Sequence, residues 1–157
     1  MTANIESRQS SVSAKRVIDA SPEILFDAWL TKEILEQWWG PAGFTTEVEL
    51  LEPYAGGRFR FAMTAANGGV SYNAGVIVEA VRPARIVLEF TEHCNAGVPV
   101  GEQPQIAASR VTAEFEAYGS QTRIVITHSR LRQNFAPLAG TAWQQALLKL
   151  SAVLIPV

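Results

Sequence analysis

The chain has 157 residues, 48% apolar and 18% charged, with a net charge of −2 and one cysteine. That length fits one domain able to bury about 68–70% of its unfolded surface, and ample apolar content with few charges argues against disorder. The absence of a basic run argues against nucleic acid as a partner, the lack of about 20 consecutive apolar residues against a membrane span, and the lone Cys94 against an internal disulfide.

The polar stretch before Ser13 lacks the apolar core of a secretory signal. The expected organisation is a flexible lead over residues 1–11 and one domain over 12–157, in the cytoplasm. Residues 12–19 are rich in β-branched side chains and predict a strand. Ser21-Pro22-Glu23 then supplies a cap, a proline suited to the first helical position and an acid for the positive helix end. Leu25, Phe26, Trp29 and Leu30 follow at the spacing of one helical face. Thr31 is placed to cap a second short helix through Ile34, Leu35 and Trp38, which Gly40-Pro41 and Gly43 end.

From Phe44 the period falls to two. Strands are expected over 44–50, over 58–63, with Phe59, Phe61 and Met63 on one face and Arg58 and Arg60 on the other, and over 70–81 after the Asn67-Gly68-Gly69 turn. A strand over 86–92 leads into a loop over 93–106. Strands over 107–117 and 122–129 pair across Tyr118-Gly119-Ser120-Gln121. Helical spacing returns at Leu138, Trp143, Ala146, Leu147, Leu150, Val153 and Leu154, so residues 137–155 read as one long apolar helix stopped by Pro156. The expected class is α+β: a curved seven-stranded antiparallel sheet, two short helices, and one long C-terminal helix covering the apolar face.

Three elements together, Ser21-Pro22-Glu23-x-x-Phe26-Asp27-Ala28-Trp29, Trp38-Trp39-Gly40-Pro41 and Gly56-Gly57-Arg58-Phe59-Arg60-Phe61, resemble the SRPBCC superfamily. The closer resemblance is to its AHSA-type branch, homologues of the activator of the heat-shock-protein ATPase, and it covers the chain from about Val12 onward. It implies a helix-grip (START-like) fold with a cavity between sheet and long helix, and no single activity. Ala142 stands where the family usually has a glycine, and Leu51-Glu52-Pro53-Tyr54-Ala55 replaces the usual lead into the Gly-Gly turn.

No nucleophile elbow, phosphate loop or dinucleotide fingerprint is present. His93-Cys94 is one adjacent pair with His128 distant, a poor metal set, and no cofactor is expected. Alternation places Ile86, Leu88, Phe90 and Glu92 on one face, Val111, Ala113, Phe115 and Ala117 on another, and Ile124, Ile126 and His128 on a third. If these faces point inward, the candidate ligand-binding residues are Trp29, Phe59, Phe61, Met63, Tyr72, Leu88, Phe90, Glu92, Val111, Phe115, Ile126, His128, Trp143 and Leu147. Ala74, Ala113 and Ala117 would leave room between them. His128 and Glu92 would be either hydrated rim residues or the polar groups that orient a ligand.

Three functions are open at this point: a binding domain for a small apolar ligand, a cyclase- or hydrolase-like enzyme with Glu92 and His128 as acid and base, and a protein-interaction domain. Trp38 and Trp39 are adjacent, which suggests that one of them is exposed. With the apolar terminus Val153–Val157, that favours a homodimer.

Overall fold

The computed structural model describes residues 9–95 and 109–154. Its elements follow the chain as β1 (Gln9–Ile18), α1 (Pro22–Trp29), α2 (Lys32–Trp38), β2 (Phe44–Leu51), β3 (Arg58–Ala65), β4 (Val70–Val81), β5 (Arg85–Asn95), β6 (Ser109–Tyr118), β7 (Gln121–Arg132), a single 3-10 turn (Gln133–Phe135) and α3 (Ala136–Val153). The seven strands form one sheet in the order β1-β7-β6-β5-β4-β3-β2. Every neighbouring pair is antiparallel. Strands β2 to β7 are therefore a meander, and β1 closes against the last strand. The two short helices carry the chain from one edge of the sheet to the other.

Local chemistry accounts for the helix starts. Ser21 adopts an extended backbone and its hydroxyl accepts from the Ile24 amide, with Pro22 at the first helical position and Glu23 in the first turn. Thr31 caps α2 by backbone geometry alone; its hydroxyl instead donates to the Asp27 carbonyl. A bidentate ion pair, Arg82 Nε and a terminal nitrogen each 2.9 Å from an Asp27 oxygen, ties α1 to the β4–β5 turn. The hydrogen bonds from Arg82 hold the Asp27 carboxyl below the ordinary aspartate range.

The sheet is bent by register shifts between β1 and β7, between β2 and β3 and twice between β4 and β5. One of them falls at Gly75, where any Cβ would collide with the Glu89 carbonyl oxygen, so two backbones approach more closely there than a side chain allows. Gly57 is required for the same reason, against the Glu52 carbonyl. The outer face carries Arg–Glu pairs, including Arg60–Glu49 and Arg110–Glu89, both at 2.8 Å. On the other face α3 lies against β1, β7 and α2. One apolar cluster fills the space, from Ile18 and Leu25 through Ile86 and Ile124 to Leu147 and Leu150.

The expected elements recur with small shifts at their ends. β1 begins earlier than 12, β7 runs on to Arg132, and β5 continues to Asn95, beyond the point where a loop was predicted. The rest of that predicted loop, and residues 155–157 of the apolar terminus, lie outside the described residues.

Candidate functional site

Four tryptophans sit together where α1, α2 and α3 meet. Trp29 stacks on Trp143, with ring planes 14° apart and centroids 5.8 Å apart. Trp39 meets Trp143 edge-on at 5.4 Å and Phe61 at 4.9 Å. Trp38 donates to the Ala28 carbonyl at 3.0 Å. Trp38 and Trp39 are both buried, with 0% and 3% exposure, which corrects the expectation that one of them is on the surface. The reason is that the end of α2 is enclosed on more than one side: Trp38 reaches the Ala28 carbonyl of α1, while Trp39 reaches Phe61 of β3, Asn73 of β4 and Trp143 of α3. One motive for self-association goes with that correction.

Beyond Trp39 and Trp143 the space between sheet and α3 stays open. It forms a cavity of about 450 Å³ bounded by the Gly40–Ala42 loop, Phe44, Met63, Ser71, Asn73, Phe90, His128, Leu131, Phe135 and the cavity side of α3, including Leu138, Ala139, Ala142, Trp143 and Ala146. The rim loop is fastened to α3. Gln145 accepts from the Ala42 amide at 3.0 Å, and Lys149, one helical turn on, donates to the carbonyls of Trp39 and Pro41 at 3.4 and 3.2 Å. Burial pushes the Lys149 ammonium below the ordinary lysine range.

Two buried polar side chains of the sheet face this wall. Asn73 Oδ1 accepts from Trp39 Nε1 at 3.1 Å. His128 Nδ1 accepts from Trp143 Nε1 at 3.0 Å, and its Nε2 lies 3.2 Å from the fully buried Ser109 hydroxyl. An indole nitrogen can only donate, so His128 is the neutral tautomer protonated at Nε2, which donates to Ser109. His128 is thus buried and partnered at 6% exposure, neither a hydrated rim residue nor an idle one.

Of the sequence candidates, Met63, Phe90, His128 and Trp143 come together on the cavity wall. Trp29, Phe59, Phe61, Leu88, Val111, Phe115, Ile126 and Leu147 are buried in the packed core behind it. Tyr72 is misplaced by the sequence reading. Phe61 pairs with Asn73 and Arg60 with Ala74, so Ser71 and Asn73 face inward, whereas Tyr72 lies outside under the Arg60 guanidinium, 4.4 Å from its ring centre. Ala74 shares that outer face and Ala117 is exposed, so neither makes room inside. For Glu92, the register shift between the Ala74–Glu92 and Gly75–Phe90 pairs breaks the period-two count from Phe90 that had assigned it a face. Its side chain lies outside the described residues.

The sequence reading missed Trp39, Ser71, Asn73, the rim loop and the alanines of α3. The alanines left a usable signal: Ala139, Ala142 and Ala146 recur at the three- and four-residue intervals of one helix face.

A bent antiparallel sheet gripping one long helix, with a closed core at one end and an aromatic-walled cavity at the other, defines a helix-grip domain. The profile of the family described as "Activator of Hsp90 ATPase homolog 1-like protein" matches residues 19–154, and the chain belongs to that family, the AHSA-type branch of SRPBCC proteins. Among solved structures, a Chromobacterium violaceum protein is similar at 22% identity, over 94% of this chain and 99% of its own, with a TM-score of 0.79. An AHSA1 protein from Silicibacter pomeroyi is similar at 22% identity over 91% and 96% of the two chains, with a TM-score of 0.73. A protein described as the Aha1 dimer from Colwellia psychrerythraea is similar at 20% identity over 92% and 96%, with a TM-score of 0.69. At these identities the likeness is one of fold. No curated protein sequence matches the chain.

Proposed function

We propose that this protein binds a small, predominantly apolar molecule in the cavity between its sheet and α3. The observation that carries the reading is a cavity of about 450 Å³ whose wall is built mainly from Trp39, Phe44, Met63, Phe90, Phe135, Trp143 and the α3 alanines. Binding sites for small molecules are commonly concave, apolar and within about 300–1,000 Å³. A neutral naphthylamine fluorophore tests it directly. Saturable, micromolar quenching of tryptophan emission is expected; no saturable change at the solubility limit of the fluorophore would reject the reading. No described helix is long and apolar enough to cross a membrane, and a cytoplasmic location is part of the proposal.

A second reading, a protein-interaction domain, is favoured by the family's own description and by Leu138 and Leu148, 67% and 52% exposed on α3. It includes the possibility of a homodimer, as the description of the Colwellia relative states for that protein. Sedimentation at high micromolar concentration separates the two: a monomer that takes up the fluorophore supports the first reading alone.

A further inference from the structure

Resting on the ligand-binding reading, we propose that the cavity selects an uncharged ligand, and that Asn73 and His128 serve it as positioning residues, acting through Trp39 and Trp143. Among the described residues the wall has no Asp, Glu, Lys or Arg side chain. Against this described wall an ionic ligand would leave water with no opposite charge to meet it, a cost that buried ions escape only by pairing.

Among the described residues, the one wall side chain able to supply a charge, His128, is held out of that role by its partners. For His128 to become cationic, Nδ1 must take a proton, and Nδ1 is the atom that receives the Trp143 indole N–H at 3.0 Å. Two N–H groups would then point at each other. Asn73 makes the matching arrangement on the neighbouring indole, its Oδ1 receiving the Trp39 N–H at 3.1 Å. Both indole donors and the acceptors opposite them are thereby engaged within the protein, so at these two rings the wall offers a ligand aromatic carbon rather than hydrogen-bonding groups. The tethers also fix ring orientation. Trp39 and Trp143 cross at 85°, a geometry that loose indoles would not keep.

The test uses the full chain and three naphthalenes differing only in one substituent: 2-naphthol, 2-naphthoate and 2-(aminomethyl)naphthalene. Naphthol should bind the native protein at least about tenfold more tightly than either ion, the penalty of an unpaired buried charge. His128→Leu removes the acceptor at similar bulk. It should shift the Trp143 indole N–H resonance more than that of Trp39, which keeps its Asn73 acceptor, and weaken naphthol binding severalfold. His128→Gln, whose side-chain carbonyl can receive the indole, should restore both. Asn73→Leu performs the same test on Trp39 and decides the matter should His128→Leu fail to fold.

Naphthoate binding as tightly as naphthol would overturn this inference while leaving the ligand site standing. So would variants whose indole resonances move with no change in naphthol affinity. Failure of all three compounds to bind the native protein would bring down the ligand-binding reading and this inference together.

Discussion

Toward its C-terminal end α3 presents Leu147 and Leu150, both fully buried, to a cluster that includes Ala14, Ile18, Leu35 and Trp38. Toward its N-terminal end the same helix presents Ala139, Ala142 and Ala146 to the same sheet, and the space stays open. One helix and one sheet serve both ends, and the α3 residues that face the sheet change from leucine at the core to alanine along the cavity. The closed end holds the helix in place. The open end keeps its shape because large aromatic residues around it are anchored elsewhere, by Asn73, His128 and the Gln145–Lys149 fastening of the rim loop.

Removing the helix altogether should have the largest effect. A chain cut after residue 137 exposes one whole apolar face and should be insoluble or bind hydrophobic dyes without a cooperative melting transition. A soluble, cooperatively melting product would break the comparison at its root. Next comes Leu147→Ala at the closed end, where a buried leucine leaves an unfilled hole and about 2–5 kcal/mol of stability is lost. Chemical denaturation measures it; a loss below about 1 kcal/mol would mean that this end is also loosely packed.

Two matched insertions sharpen the contrast. Ala113→Leu, at a position with 0% exposure in the closed core, should destabilise by about 1–3 kcal/mol through overpacking. Ala142→Leu adds the same atoms facing the cavity, and should leave stability unchanged or slightly raised while abolishing fluorophore uptake. Equal penalties at the two sites would mean that the cavity is not free volume.

The smallest effect concerns a pair remote from both ends. Asp27 and Arg82 are about half exposed, so Asp27→Asn should lower Tm by only about 2 °C or less at neutral pH. The Asp27 carboxyl is depressed in the folded state, so its contribution is present above the unfolded aspartate value and fades as pH falls through the folded one. The melting curves of the native chain and Asp27→Asn should therefore converge only below about pH 4. A difference that vanished near pH 6 would point to another group.

Much of the architecture was legible because the signals were local. The capped start of α1, the strand over 70–81 with its Asn67-Gly68-Gly69 turn, and the apolar spacing of α3 each depend on neighbours in sequence. The site was less legible because its wall depends on the phase of the strands. On β4, an aromatic at 72 and small or polar residues at 71, 73 and 75 suggest the wrong inward face. Only pairing with β3 sets Asn73 beside Phe61, and only the shift at Gly75 makes counting along β5 fail beyond Phe90. His128 was placed correctly because β7 alternates without interruption from Ile124 to that point, in register with β6. The burial of both Trp38 and Trp39 could not be read from adjacency, since it depends on which elements the fold packs around the end of α2, α1 beside Trp38 and β3, β4 and α3 around Trp39.

The tryptophan cluster has an optical consequence. All four indoles of the chain lie in one network, each within 6 Å of at least two others. At such separations their electronic transitions couple, and excitation passes between rings faster than it is emitted. The near-ultraviolet circular dichroism should therefore show paired bands of opposite sign rather than the sum of four isolated chromophores. A quencher resting against Trp143 or Trp39 should also darken Trp38 and Trp29, which do not border the cavity, so a single occupant can extinguish most of the emission.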